Sequence, residues 1–104
     1  MKIAVTYENG QVFQHFGHTE QFKIYEAAEG KVVSARVVET GGSGHGALAG
    51  FLRGLGVDTL ICGGIGGGAR TALAEAGIQL YPGVSGDADS KVSDLLAGKL
   101  AFDP

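Results

Sequence analysis

The sequence predicts a small α/β protein in which helices cover both faces of a five-stranded mixed sheet. The first forty residues show the alternating apolar pattern of strands, and the remainder changes to the spacing of helices separated by short apolar runs. The chain has 104 residues, enough for one domain and not for two. We therefore predict a single domain over residues 1–104, in which residues 99–104 form a loose tail.

The N-terminal part of the chain predicts three strands. Residues 2–7 alternate large apolar side chains with small or polar ones, and residues 20–27 and 31–39 do the same. Residues 29–31 read Glu-Gly-Lys, which is a turn signal. The second and third strands are therefore expected to form a hairpin.

The rest of the chain predicts helices that alternate with short buried strands. Apolar residues at helical spacing mark helices over residues 47–55 and 69–76, and each is followed by a glycine. A third helix is expected over residues 87–98, with an aspartate as its cap. The short apolar runs 57–62 and 78–81 are typical of buried parallel strands.

The order of these elements predicts the topology. Three consecutive strands favour antiparallel pairing, and two strands that each follow a helix favour right-handed parallel crossovers. The resulting strand order is 3-2-1-4-5, with helices on both faces. This three-layer arrangement is that of a ribonuclease-H-like fold.

Composition excludes several classes of protein. The net charge is −3 and the eight Lys and Arg residues are scattered, so no nucleic-acid surface is expected. No apolar stretch is long enough to cross a membrane. The N-terminus enters a strand directly, without the apolar stretch of a signal peptide, and a single cysteine cannot form an internal disulfide. These features favour a cytoplasmic protein.

The unusual residues of the chain are expected at one edge of the sheet. Ligands of open α/β sheets bind beyond the carboxyl ends of the parallel strands, where the strand order reverses. The segment 15–18 (His-Phe-Gly-His) follows the first strand, and a glycine-rich segment ending at His45 follows the third. Cys62 and the run Gly63–Gly68 follow the fourth. The topology therefore predicts a binding site at this edge.

The chemistry of these residues favours an anionic ligand. Helix N-termini carry unpaired N–H groups and partial positive charge, glycine permits close approach, and Arg70 adds a cation. Imidazole and thiolate groups are suitable ligands for iron, copper or molybdenum–sulfur species. Two loop histidines are also commonly just solvated, and a lone cysteine that ends an apolar run is more often core packing than a ligand.

The sequence supports an enzyme or a nucleotide-binding protein less well than it supports a site for an anionic metal–sulfur ligand. Residues 64–69 match the dinucleotide pattern G-x-G-x-x-A, but the next strand ends at Pro82 without the acidic residue that would bind a ribose. A two-metal nuclease needs carboxylates on the central strands, and the first strand has none before Glu8. Cys62 and His45 lack an evident third group for nucleophilic catalysis. We therefore predict that the protein is not an enzyme.

Two segments carry a resemblance to a known family. The N-terminal sequence KIAVTYENGQVFQHFGHTEQFKIYE and the sequence CGGIGGGAR at residues 62–70 resemble the dinitrogenase iron–molybdenum cofactor biosynthesis family, of which this would be a small stand-alone member. The resemblance implies a ribonuclease-H-like domain that carries or stores iron–sulfur or iron–molybdenum cofactor precursors. It places the family's histidine at His15 and its glycine-rich turn at Gly63–Gly68.

These arguments lead to one prediction and one alternative. The prediction is a non-catalytic carrier that binds, stores or transfers an iron–sulfur or molybdenum-containing sulfide cluster and exchanges it with a cofactor-assembly or acceptor metalloenzyme, as a monomer or weak homodimer. The alternative is a regulatory or protein-interaction module that binds a small anion, a nucleotide or an acidic peptide. The predicted metal ligands are His15, His45 and Cys62, and the other predicted cofactor-binding residues are His18, Gly63, Gly64, Gly66, Gly67 and Arg70.

Overall fold

The fold is described from a computed structural model, which covers residues 1–41 and 45–104, with side chains from residue 47 onward in the second range. The elements in chain order are β1 (Lys2–Glu8), β2 (Gln11–Val12), a 3-10 turn (Phe16–His18), β3 (Gln21–Ala28), β4 (Lys31–Glu39), α1 (His45–Gly54), β5 (Thr59–Ile61), α2 (Gly67–Glu75), β6 (Gln79–Tyr81) and α3 (Ala88–Leu96). Each predicted helix or strand lies within two residues of an observed one at both ends.

The sheet has the order β4-β3-β1-β5-β6, and β2 pairs with β1 off this path. The pairs β1–β3 and β3–β4 are antiparallel, whereas β1–β5 and β5–β6 are parallel. Without β2, the strands counted along the chain are arranged 3-2-1-4-5. The predicted mixed α/β class is confirmed.

The sheet has six strands rather than the predicted five, because the chain turns back after β1 and forms the short additional strand β2. Asn9 and Gly10 both have positive φ, at 50° and 83°, as the two central residues of a tight hairpin require. Gln11 and Val12 then pair antiparallel with Glu8 and Tyr7. The Asn-Gly pair is itself a strong sequence signal for this hairpin.

Two apolar clusters show that the helices lie on opposite faces of the sheet. Strand side chains alternate between the faces, so Phe22 and Ile24 pack with α1 and α2, whereas Tyr25 packs with α3. Leu52 and Val92 are fully buried at the centres of the two helix layers. Among the described helices, none is long and apolar enough to cross a membrane.

The C-terminal tail, which the sequence predicts to be loose, is held against the sheet. The Asp103 N–H donates to the Pro82 carbonyl at 2.8 Å, and the Phe102 ring packs edge-on against Tyr81 with centroids 4.8 Å apart. Gly83 lies so close to Asp103 that a side chain there would collide with it. An aromatic residue near the terminus thus supplies the contact that attaches the tail.

Strand direction determines where the carboxyl ends lie. Because β1, β4, β5 and β6 run the same way, the segments that follow them meet at one edge of the sheet, which we call the carboxyl edge. It comprises residues 9–20, 40–41, 62–66 and 82–87. The strand order reverses between β1 and β5, so the segments after these two strands lie side by side.

Candidate functional site

The segments after β1 and β5 are joined by backbone hydrogen bonds. The Gly64 N–H donates to the Gln14 carbonyl at 2.8 Å, and the Phe16 N–H donates to the Gly64 carbonyl at 3.0 Å. His15 and Gly64 therefore form a parallel bridge that extends the β1–β5 pairing past the ends of both strands. This pairing places His15 directly beside the glycine run.

Gln14 joins three segments of the carboxyl edge. Its side-chain Nε2 donates to the carbonyls of Val12 and Val84, both at 3.0 Å. A Cβ on Gly63 would lie 2.6 Å from the Gln14 Cα, so glycine is required there for close packing. Sequence reasoning did not identify Gln14, because no pattern distinguishes it from a solvated glutamine.

A pocket of about 770 Å³ lies between the 3-10 turn and the start of α2. Its wall combines two imidazoles, glycine backbone and small or apolar side chains. The lining residues are His15, Phe16, Gly17, His18, Gly64, Ile65, Gly66, Gly68, Ala69 and Ala72.

The start of α2 presents open backbone to this pocket. The first helical hydrogen bond is donated by the Arg70 N–H to the Gly66 carbonyl at 3.1 Å, so the N–H groups of residues 67–69 have no acceptor within the helix. A Cβ built on Gly66, Gly67 or Gly68 would meet no atom within 4 Å, and none of the three has positive φ. Neither packing nor backbone conformation requires glycine here, and its effect is to leave the backbone accessible.

The two histidines of the pocket are set by the short turn between them. The His18 N–H donates to the His15 carbonyl at 2.9 Å, which places the two residues one 3-10 turn apart. Both are exposed, and the His15 ring packs edge-on against Phe13 at 6.0 Å. His18 also borders a second cavity of about 280 Å³, whose lining includes Glu8, Glu20 and Glu39. His18 thus separates the glycine-lined pocket from an acidic one.

Cys62 lies in the core and outside the pocket lining. Its side chain is fully buried in the apolar cluster beneath α1 and α2. Burial raises the pKa of its thiol from 9.0 to about 12, and the charge of Arg70 offsets only part of this effect. In the absence of a metal the thiol is therefore neutral near pH 7. The structure favours packing as the role of Cys62.

The remaining predicted site residues either do not line the pocket or lie outside the part of the chain whose side chains the structure describes. Gly63 packs on Gln14, and Gly67 and Arg70 are exposed residues of α2 that do not line the pocket. The backbone of His45 begins α1, but its side chain lies outside the described part, as do residues 42–44 of the second glycine-rich segment. Among the side chains that the structure describes, no three His, Cys, Asp or Glu residues form a metal-binding group.

Comparison with known proteins is consistent with this architecture. The family described as dinitrogenase iron–molybdenum cofactor matches residues 1–98. The FeMo cofactor biosynthesis protein NifB of Sinorhizobium fredii is 40% identical over an alignment of 87 residues, which covers 76% of this chain and 18% of that protein. The chain thus spans about a fifth of the length of this relative.

Two solved structures of similar size share the fold. The crystal structure of PH0822 has a TM-score of 0.93 at 28% identity and covers 99% of this chain and 95% of its own. The apo form of the orange protein from Desulfovibrio gigas has a TM-score of 0.84 at 29% identity, and the alignment covers 98% of this chain and 92% of the orange protein. The chain belongs to the dinitrogenase iron–molybdenum cofactor family, as its two motifs predict.

Proposed function

We propose that the protein binds an anionic metal–sulfur cluster or an iron–molybdenum cofactor precursor, and stores or transfers it without catalysing a reaction. One observation carries this proposal. The unobstructed backbone of Gly66 and Gly68 lines the same pocket as the imidazoles of His15 and His18.

The electrostatics of the pocket suit a bulky anion. The N-terminus of α2 carries a partial positive charge on its free N–H groups. Glycines at 66 and 68 let a large ligand reach these groups, because no side chain stands between them. A volume of about 770 Å³ lies within the range of small-molecule sites.

The ligand set suits a cargo that arrives with its own sulfide ligands. Imidazole nitrogen binds iron and copper well, so His15 is the leading candidate for a bond to metal and His18 supports it. Backbone N–H groups would meet the sulfides, as they do around iron–sulfur clusters. His45 stays in the proposed set, and Cys62 leaves it because its side chain is buried in the core and does not line the pocket. Few protein ligands mean loose binding, which suits transfer.

The wider context of the proposal follows from the family. A relative named as a FeMo cofactor biosynthesis protein supports a cofactor-assembly or acceptor metalloenzyme as the partner. A single reduced cysteine supports a cytoplasmic location. The sheet order and the helix layers on both faces support the ribonuclease-H-like assignment.

The alternative ligands fit the pocket less well. Phosphate groups and acidic peptides are usually bound by arginine or lysine in addition to backbone N–H groups. Neither residue is among the described residues that line the pocket. This composition favours a weakly hydrated sulfide-rich anion over a nucleotide.

Gly68→Ala tests the proposal without damaging the fold. The added methyl meets no protein atom but enters the pocket, so affinity for an offered iron–sulfide or molybdenum–sulfide cluster should fall at least about tenfold, or about 1.4 kcal/mol. Stability should rise by up to about 1 kcal/mol, because alanine is the better helix former. Gly50→Ala in α1 is the matched control, since it also meets no atom within 4 Å and lies outside the pocket.

Anaerobic purification from the native host, with metal and sulfide analysis and a visible spectrum, identifies the cargo. The amount of iron, copper or molybdenum and of sulfide bound per chain should be lower in His15→Ala and in His18→Ala than in the wild type. A colourless, metal-free protein that also takes up no offered cluster would refute the carrier function, and the interaction-module alternative would then lead.

A further inference from the structure

The strand β4 forms an exposed edge of the sheet. It is nine residues long and, within the described chain, pairs only with β3, so its outer edge carries N–H and C=O groups with no ladder partner. Every residue of the strand except Val38 is exposed. Val33 is 65% and Val37 44% exposed, which is unusual for valine. An apolar edge of this length invites pairing with another strand.

The sequence of β4 is nearly symmetric in chemistry. It reads KVVSARVVE, with Ala35 at its centre. If a second β4 runs antiparallel with the two Ala35 residues opposite each other, Val33 of each copy lies opposite Val37 of the other.

We propose that β4 pairs antiparallel with β4 of a second copy of this chain, about a two-fold axis at Ala35. A two-fold axis uses the same patch on both copies, which is what a self-complementary strand provides. The two sheets then form one continuous sheet with the order β6-β5-β1-β3-β4-β4-β3-β1-β5-β6. The pairing covers the β4 edge of each copy, so no further copy can add at β4 and the assembly stops at a dimer.

The register of β4 on β3 shows which side chains meet across the axis. Ala35 and Val37 are paired with Tyr25 and Lys23, and Tyr25 packs with α3, so Ala35 and Val37 lie on the α3 face of the sheet. In this register Val33 of each copy lies opposite Val37 of the other, so four valine side chains lose exposure.

An irregularity in β4 limits the strength of the pairing. The register shifts between the pairs formed by Ser34 and Val32, so Val33 has no partner on β3. A bulge bends the strand locally, and regular pairing is therefore expected over the five central residues, 33–37. The association is consequently weak and depends on protein concentration.

The proposal is independent of the proposed function. Antiparallel pairing points the carboxyl edges of the two copies in opposite directions. Each copy keeps its own complete pocket, because β4 residues do not line it. Dimerisation can therefore fail while cluster binding succeeds, and the reverse also holds.

Sedimentation equilibrium between about 10 μM and 1 mM tests the proposal. The wild-type mass should rise toward twice that of the chain. Val37→Lys should raise the dimer dissociation constant at least about tenfold, because the two-fold axis brings the new charge into the interface twice. Ala74→Lys adds the same charge on the exposed surface of α2, far from β4 in the sheet order, and should leave the constant unchanged.

A chain that stays monomeric at 1 mM overturns the proposal. So does a dimer that Val37→Lys does not affect, or growth into open-ended assemblies.

Discussion

At the scale of the residue, glycine serves two purposes within one short run. Gly63 has no room for a side chain because the Gln14 backbone lies against it. Gly66, Gly67 and Gly68, only three to five residues later, have open space around them. Close packing explains the first glycine, whereas neither packing nor positive φ explains the other three, of which Gly66 and Gly68 line the pocket.

Cys62, which follows β5, illustrates how burial determines the reactivity of a thiol. Since the folded thiol has a pKa raised to about 12, its thiolate fraction at pH 8 is about a thousandfold below that of a thiol with an unshifted pKa. We therefore predict that Cys62 in the native protein reacts with a disulfide reagent at least about a thousandfold more slowly than in the unfolded chain. The rate of thiol release at pH 8, with and without denaturant, measures this.

A rapid reaction in the native protein would contradict this assignment and return Cys62 to the set of candidate ligands. Cys62→Ala is the matched blank, since it removes the only thiol of the chain. The same pKa shift also makes the stability of the native state depend on pH. Because the unfolded thiol ionises first, Cys62 stabilises the native state less as the pH rises above about 9.

At the scale of the element, the site depends on an extension of the parallel β1–β5 pair. Hydrogen bonds between residues 14–16 and Gly64 continue the ladder past the last strand residues. Gln14 then ties this extension to the segment after β6 through the Val84 carbonyl. His15 is held at the pocket by backbone pairing, which a loop alone would not provide.

Gly63→Ala tests this extension. The new methyl would lie 2.6 Å from the Gln14 Cα, so the loops must separate. Overpacking of this kind costs about 1–3 kcal/mol in the free energy of unfolding, measured by urea denaturation. The NMR signals of His15 should also shift, because its partner strand moves.

Gly67→Ala in the same run serves as the control for this change. Its methyl meets no atom within 4 Å, so the stability should not fall and the His15 signals should stay close to those of the wild type. Equal effects of the two substitutions would show that the loop pairing does not position His15.

At the scale of the whole molecule, a polar junction attaches the α3 layer to the sheet. Asp89 of α3 accepts hydrogen bonds from the Tyr25 hydroxyl at 2.6 Å and the Lys23 ammonium at 2.8 Å, both on β3. These hydrogen bonds, with that from Lys23 the larger contribution, hold the pKa of the Asp89 carboxyl below its usual value. The junction adds a charge-dependent contact to the apolar cluster.

Asp89→Asn should lower the free energy of unfolding by an amount that depends on pH. A carboxyl with a lowered folded pKa stabilises the native state above its unfolded pKa of 3.8, and the contribution is lost as the pH falls through the folded value. The variant should be less stable than the wild type by about 1 kcal/mol at pH 7, since the junction is partly exposed. The difference should shrink below about pH 4.

Urea denaturation at pH 7, 5 and 3 measures this difference. Asp94→Asn is the matched control, because Asp94 lies on the same helix and makes only a 3.9 Å ion pair with Lys91. A difference between wild type and Asp89→Asn that stays constant down to pH 3 would assign the effect to packing and not to the carboxylate.

The sequence by itself determined the element pattern, the α/β class and the convergence of unusual residues at the carboxyl edge. Periodicity records which side of each strand or helix faces the core, and this is a local property. His15 and Gly64 were expected at one edge because the predicted topology brings the ends of their strands together, and the structure places them next to each other. The motifs also identified the family, which comparison confirms.

Only the tertiary structure decided what each of these residues does there. The difference between Gly63 and Gly68, the burial of Cys62 and the clamp formed by Gln14 all arise where segments far apart in the chain meet. The contact of Phe102 with Tyr81 that holds the tail has the same origin. Such contacts depend on the spacing of packed elements within a few tenths of an ångström, and the local pattern of a sequence does not contain that distance.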